Sequence, residues 1–505
     1  MVLQLTKLVD TRILMNNKIE KNAILNGMKT VCSILFPFVS FSYCSQVLGA
    51  SGLGAYSFGQ SIISYLALIA ALGIQNYAVR EGSVIRNDKI KLNHFIEQIF
   101  TINCIMTVVS YMLLTALLVF WPKMDQYKWI ILIQSVQIGL TTLGADWINL
   151  IFEDYAYLTV RYVVIQAISI IALVIFVKSP EDIYRYTFIS MMSNSGGYIL
   201  NVAYIRKKNI RLHLTKNINL KKCFFPIFVL FFNNVASIVY LNSDITMLGI
   251  FETDLEVGIY TVSSKIYSMM KSLLTSMIMV TVPQFSIYIS RENMKEYKYA
   301  LKRLQEVLLI IIFPITIGLL LESKKIINFV AGNQYASGSI VVSILAVAIP
   351  FAVEACFFTY AVLIPAKQEV YILKSTILAA TINIILNIIF IPLYGIYAAA
   401  FTTLVAEIVV VSIVWYMSNK VITFQIDKSI IRQVMVGCTS IILVCFFIDQ
   451  LKIGSALQLL LDIFASGIVY FCVLLAMKCT YLAIFFKSVV AAVRRMMRKA
   501  KKQKD

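Results

Sequence analysis

Long apolar runs, broken by short charged or glycine-bearing stretches, set the pattern of this chain. The first clear pair covers 22–48 and 54–79. Between them Leu48-Gly49-Ala50-Ser51-Gly52-Leu53-Gly54 carries no charge and predicts a tight turn. After the second run comes Arg80-Glu81-Gly82-Ser83-Val84-Ile85-Arg86-Asn87-Asp88-Lys89, which is strongly charged. Each run exceeds the roughly 20 helical residues that cross a bilayer. The same reading gives about fourteen spans: 22–48, 54–79, 96–121, 128–152, 156–178, 183–205, 223–251, 255–284, 304–329, 336–363, 370–392, 396–419, 430–449 and 457–482. Pro350 is read as a kink inside the tenth span. The runs are continuous rather than alternating, so the spans are helices and not barrel strands. The fold class is an all-α polytopic membrane protein. The first run is too long for a cleaved signal peptide and lacks a small-residue cleavage site.

The loops orient the spans. The N-terminus, the even-numbered loops and the tail hold about 35 of the 45 lysines and arginines. The odd-numbered loops hold about seven: Lys123, Lys128, Lys178, Arg185, Lys324, Lys325 and Lys452. Basic residues collect on the cytoplasmic side during insertion, so both termini are expected there. The expected organisation is a cytoplasmic N-terminus (1–21), an N-terminal lobe of six spans (22–205), a basic cytoplasmic linker (206–222), a second six-span lobe (223–419), a final pair of spans (430–482) and a basic tail (483–505). The tail is expected to serve as an orientation signal or to lie on anionic lipid headgroups.

A repeat supports the two lobes. Leu48-Gly49 and Gly54-Ala55-Tyr56 recur as Leu248-Gly249 and Gly258-Ile259-Tyr260. An even number of spans separates the equivalents, so the repeats run parallel, an arrangement transporters use to bind substrate between halves near mid-membrane.

Composition changes the picture only by exclusion. The residues are 59% hydrophobic and 14% charged, with a net charge of +19. In a membrane protein that charge reflects cytoplasmic loops rather than nucleic-acid binding, and no nucleic-acid partner is expected. Most of the nine cysteines lie inside apolar runs, and the two histidines, His94 and His213, sit in charged loops. No metal, cofactor or histidine-based catalytic site is expected. There is no phosphate-loop motif, and the outer loops are too short to house a catalytic domain, which argues against a membrane enzyme.

The informative residues are the ionisable ones inside spans: Lys29, Asp146, Asp244, Lys265, Lys271, Glu354 and Glu407. Facing lipid they would cost about 2.5–3.5 kcal/mol each, on the order of 20 kcal/mol together. They must face protein or water. Asn22, Asn26, Lys29 and Ser33 share one helical face. In the eighth span Tyr260, Ser264, Tyr267, Lys271 and Thr275 form one stripe, beside Thr261, Lys265, Ser268, Ser272 and Ser276. Asn383 and Asn387 form a shorter one. Lys29 and Lys271 have no acidic neighbour in sequence, so each is a candidate for an anionic ligand, or for snorkelling in the case of Lys29. Asp244 and Lys265 are within reach of pairing across the turn that joins their spans, as a structural pair or a gate. The candidate cavity set is Asn26, Lys29, Gln60, Arg80, Asp146, Arg161, Tyr260, Lys265, Lys271 and Asn383, with Asp244, Glu354 and Glu407 as candidate coupling or gating groups.

Several stretches resemble one family. Leu48-Gly49 with Gly54-Ala55-Tyr56-Ser57-Phe58, and Leu72-Gly73-Ile74-Gln75-Asn76-Tyr77-Ala78-Val79-Arg80-Glu81, look like the start of the Wzx-type flippases. Asp146-Trp147, Phe152-Glu153-Asp154-Tyr155-Ala156-Tyr157 and Asp244-Ile245-Thr246-Met247-Leu248-Gly249 resemble later segments. These belong to the multidrug/oligosaccharidyl-lipid/polysaccharide exporter superfamily. The resemblance implies two six-helix lobes around a cationic cavity and no catalysis. It implies export of an undecaprenyl-diphosphate-linked oligosaccharide to the outer leaflet of a bacterial cytoplasmic membrane, in company with polysaccharide polymerase machinery. The alternative is a cation-coupled multidrug antiporter of the same superfamily, whose coupling acids would fall in the spans of Asp244 and Glu354.

Overall fold

A computed structural model describes the backbone of residues 2–207, 210, 212–216, 220–451 and 453–479, and the side chains from residue 32 on except 34, 35, 220–226, 229, 230 and 233. Among the described residues there is no strand. The helices are α1 (Val2–Ala71), α2 (Ile74–Ile85), α3 (Lys89–Phe120), α4 (Lys128–Gly144), α5 (Asp146–Ile151), α6 (Tyr155–Phe176), α7 (Ile183–Lys207) and α8 (Leu220–Phe251). They continue as α9 (Asp254–Met279), α10 (Val282–Ser290), α11 (Met294–Ala331), α12 (Gly338–Phe357), α13 (Glu369–Val421), α14 (Lys428–Asp449) and α15 (Ser455–Ala476). Nine helical stretches among the described residues are long and apolar enough to cross a membrane, and the chain is a multi-pass membrane protein. Two of the nine, Phe36–Ile85 and Glu369–Val421, are of roughly double length, which accounts for two of the five spans by which the expected fourteen exceed the nine.

The breaks are sharper than expected. Instead of a seven-residue turn after Leu48, the helix interrupts at Gly49 alone, with φ 73° and ψ 173°, and resumes at once. A side chain there would be strained, so one glycine does the work of a loop. Gly395 breaks α13 in the same way, where the sequence separates the eleventh and twelfth spans. Polar helix starts are capped as the sequence allows. Asp88 accepts from the Lys91 amide, Asn293 from the Glu296 amide and Asp427 from the Ser429 amide.

The chain forms two compact units, Met1–Thr261 and Val262–Asp505, divided inside α9. In the first, one buried cluster joins Cys44 and Leu48 of α1 to Leu173 of α6 and Tyr186 of α7. A second joins Tyr77 of α2, Ile96 and Ile99 of α3 and Trp147 and Ile148 of α5. In the second unit Ile310 of α11 packs with Val434 and Ile441 of α14 and Tyr470 of α15. Tyr470 also donates to the Ile310 carbonyl at 2.7 Å.

The short link between α8 and α9 is built from a capping box. The Glu256 amide donates to Thr253 Oγ1 while the Thr253 amide donates to Glu256 Oε2. Burial, then the hydrogen bond and charge of Glu256, push the Glu252 carboxyl in this link up to about 7. The folded chain therefore holds this proton more tightly than the unfolded chain. The contribution to stability is complete below the ordinary carboxyl range and is lost as pH rises through about 7. Thermal stability of the purified protein should fall between about pH 5 and 8, and Glu252→Gln should flatten that part of the profile.

Candidate functional site

Within the first unit a cavity of about 460 Å³ lies among α1, α3, α4 and α8. Gln60 and Ser64 line it from α1, Asn103 from α3, Gln137 and Thr141 from α4, and Asn234 from α8. Gln75 of α2, Asp146 and Trp147 at the start of α5 and Tyr198 of α7 also line it. The α4 residues reach it because Gln134, Gln137 and Thr141 recur at helical spacing on one face.

Asp146 is held from behind by Arg161 of α6. Both guanidinium nitrogens engage it, Nη1 to Oδ1 at 2.8 Å and Nη2 to Oδ2 at 2.5 Å. The Arg161 side chain is 9% exposed, and its guanidinium also faces the rings of Tyr157 and Tyr198 at 5.6 and 5.7 Å. Tyr157 in turn stacks on Tyr204 at 3.7 Å. Planar, bidentate and aromatic contacts are what arginine offers and lysine does not. Arg161→Lys should cost about 1–3 kcal/mol, read as a lower thermal-unfolding midpoint of the detergent-solubilised protein, whereas Arg80→Lys should leave it unchanged. Arg80 is exposed, pairs with its neighbour Glu81 at 3.0 Å and lies 5.9 Å from the Tyr77 ring centre.

Two buried donors in this cavity have no partner: the Gln137 side-chain amide nitrogen and the Trp147 indole nitrogen. Gln137 is 8% exposed and Trp147 5%. Both were absent from the sequence expectation.

Elsewhere in the first unit, Tyr260 donates to Asp244 at 2.6 Å, and Thr246 joins Ser61 and Tyr65 at 2.9 and 3.0 Å. Asn26 and Lys29 lie outside the residues whose side chains are described.

The second unit gathers its polar residues into separate groups. Lys271 of α9 donates to Glu407 of α13, which also accepts from Tyr267 at 2.7 Å. Lys271 has no acid near it in sequence, and the fold brings one from 136 residues away. Glu354 of α12 accepts from Gln305 of α11 at 2.9 Å. Asn383, Asn387 and Thr402 form a buried network within α13, with the Thr402 hydroxyl donating to Asn387. Lys265 is half-buried on α9.

A further group was not anticipated. Lys325 of α11 lies 2.9 Å from Glu322, 2.6 Å from Asp449 of α14 and 2.8 Å from Asp462 of α15. Glu322, Cys445 and Asp462 are the only residues with metal-ligand proximity among the described ones. The Lys325 ammonium, bonded to both carboxylates, already supplies a cation there. Three helices are thereby clasped near one end of the unit.

A sequence profile described as "polysaccharide biosynthesis protein" matches residues 19–289, more than half of the chain. The chain belongs to this polysaccharide biosynthesis protein family. Its curated relatives include Agl15 of Haloferax volcanii, assigned as a flippase of low-salt glycan biosynthesis, 22% identical over 47% of this chain and 50% of that protein. Another is a Shigella dysenteriae protein assigned as an O-antigen transporter, 20% identical over 78% of this chain and 98% of that one. This chain thus spans about half the length of the first and nearly all of the second. The fold is that of the lipid II flippase MurJ in its inward closed conformation, with a TM-score of 0.74 at 17% identity, covering 92% of this chain and 100% of that one. An inward-facing multidrug resistance MATE family transporter of the MOP superfamily aligns with a TM-score of 0.57 at 11% identity, over 76% and 93% of the two chains. The resemblance to the Wzx-type branch of that superfamily, read from sequence, is borne out by the family match.

Proposed function

We propose that this polysaccharide biosynthesis family member is a flippase. It carries undecaprenyl-diphosphate-linked oligosaccharide repeat units from the inner to the outer leaflet of a bacterial cytoplasmic membrane, for surface polysaccharide assembly. The observation that carries the reading is a polar, carboxylate-bearing cavity inside a bundle of membrane-spanning helices, in a chain of this family. Such a cavity gives a hydrophilic headgroup a place to reside while the lipid tail stays in the bilayer. Flipping makes and breaks no covalent bond, and the chain needs only to open the cavity to each leaflet in turn.

Both termini are proposed to lie in the cytoplasm, a reading that the charge of the loops supports. The basic segment 483–505 lies outside the described residues, and its proposed contact is with anionic lipid. Polysaccharide polymerase machinery is the proposed recipient of the flipped product. The diphosphate requires cationic contacts, and the polar-face lysines Lys29, Lys265 and Lys271 are the candidates, the last only in competition with Glu407.

The test in cells uses a bacterial strain lacking its own repeat-unit flippase, supplied with matching repeat-unit synthesis. Expression of this chain should restore surface polysaccharide and clear the accumulated lipid-linked precursor. Unchanged accumulation, together with efflux of cationic dyes, would replace the reading with the multidrug antiporter.

A further inference from the structure

We infer that the cavity of the first unit is a neutral-sugar subsite, one that reads glycan hydroxyl or acetamido groups and not the diphosphate. The inference rests on the flippase reading for the source of its ligand and on the cavity itself for the ligand's chemistry.

Charge comes first. The lining holds one carboxylate, Asp146, and no lysine or arginine, and the charge of Asp146 is answered by the bidentate fork of Arg161. A phosphate entering this space would meet a carboxylate before any cation. The Arg161 nitrogens Nη1 and Nη2 are both committed to that carboxylate, and the aromatic rings of Tyr157 and Tyr198 flank the guanidinium. Anions gain little here, whereas a polyhydroxyl ligand carries no charge to desolvate.

Hydrogen-bond capacity comes next. Gln137 and Trp147, both among the residues that line the cavity, each carry a buried N–H group with no protein partner. An unmet buried donor is costly, and in native structures it signals a missing ligand or water. Beside these two donors, Asp146 offers carboxylate oxygens as acceptors, and Gln60 offers both kinds of group. Closely mixed donors and acceptors suit the adjacent hydroxyls of a sugar ring, which both give and take hydrogen bonds. The Trp147 indole adds a flat apolar surface for the C–H face of the ring. Sugar acetamido oxygens would satisfy the indole and amide donors equally well.

Trp147 also supplies the readout. The chain has four tryptophans, so replacing Trp121, Trp129 and Trp415 with phenylalanine leaves Trp147 as the sole emitter in the full-length protein. Methyl glycosides of neutral hexoses and of N-acetylhexosamines are titrated against it in lipid nanodiscs, and inorganic diphosphate is titrated separately. At least one glycoside should shift the emission saturably, with diphosphate neither shifting it nor competing. Gln137→Leu should weaken that binding about tenfold, as loss of one hydrogen bond to a buried donor predicts. If Gln137→Leu does not yield folded protein, Gln60→Leu, on a different helix of the lining, is read in its place. Displacement of the glycoside by diphosphate, or a signal from diphosphate alone, would overturn the neutral-sugar assignment in favour of a phosphate subsite. Silence toward every glycoside would remove the sugar site altogether. Neither result touches the flippase reading, which is decided separately by transport of the intact lipid-linked substrate. A protein that binds glycosides but moves no lipid-linked substrate would lose the transport and keep the site.

Discussion

Adding a methyl group to both Gly54 and Gly258 is expected to remove most folded protein. The two glycines mark the places where the repeated Gly-x-Tyr segments of α1 and α9 meet. A Cβ on Gly54 would fall on the Asp254 carbonyl, and a Cβ on Gly258 on the Ala50 carbonyl. The contacts are reciprocal, and both neighbours are backbone, so no side chain can swing aside. Helix propensity alone argues the other way, since alanine for an interior glycine gains about 1 kcal/mol. Overpacking typically costs about 1–3 kcal/mol, and a backbone neighbour puts the cost at or above the upper end. The close approach wins. Gly258→Ala should therefore lower the thermal midpoint, and Gly54→Ala combined with Gly258→Ala should leave little monodisperse protein on size-exclusion chromatography. Gly52→Ala is the control, because its Cβ would meet nothing nearer than Leu48 Cβ at 3.5 Å. A Gly258→Ala protein as stable as the parent would mean the helices are not in backbone contact.

The second large effect belongs to Lys271 and Glu407. Glu407 is 3% exposed at its side chain and Lys271 24%, so each depends on the other for its charge. Removing one partner of a buried pair costs about 3–5 kcal/mol, most of all when the charge left behind is the 3% exposed Glu407 carboxylate, which has no water to return to. Glu407→Ala and Lys271→Ala should each be strongly destabilising. Lys271→Met combined with Glu407→Gln should recover most of the loss, since neither charge then remains. A double-mutant cycle on thermal stability measures this directly. The transport phenotype of the double variant carries separate information. If the substrate's diphosphate takes Lys271 from Glu407 during the cycle, that variant should be folded and slow. Full transport in it would leave the pair a purely structural clasp.

How far the sequence reaches can be judged from particular residues. The apolar runs locate the helices well, because lipid and protein both demand continuous apolar surface of a known length. Gly395 sits where two spans were separated, and the two Gly-x-Tyr segments were visible as a repeat. Their mutual contact was not visible, since a repeat says that two segments are alike and nothing about whether they touch. The polar stripe of Asn383 and Asn387 became a network once Thr402 was brought beside it across the Gly395 break. Lys271 has no acidic neighbour in sequence, and its partner Glu407 is invisible there because pairing across 136 residues depends on topology. The Lys325 cluster was missed for the same reason: it lies 124 residues from Asp449 and 137 from Asp462. Gln137 was a different case. Gln134, Gln137 and Thr141 do repeat at helical spacing, so that polar face is legible, but uncharged amides and hydroxyls stand out less in an apolar run than ionisable groups do. Trp147 gave no such signal, since an indole in an apolar run looks like core until its nitrogen is seen to be unpartnered.

The central claim is transport, and reconstitution tests it most directly. The protein is placed in liposomes carrying a short diphosphate-linked oligosaccharide lipid, and exposure of the sugar to an impermeant modifying reagent outside is followed over time. The account predicts exposure faster than in protein-free liposomes. Exposure no faster than in protein-free liposomes, with or without an imposed ion gradient, would contradict it.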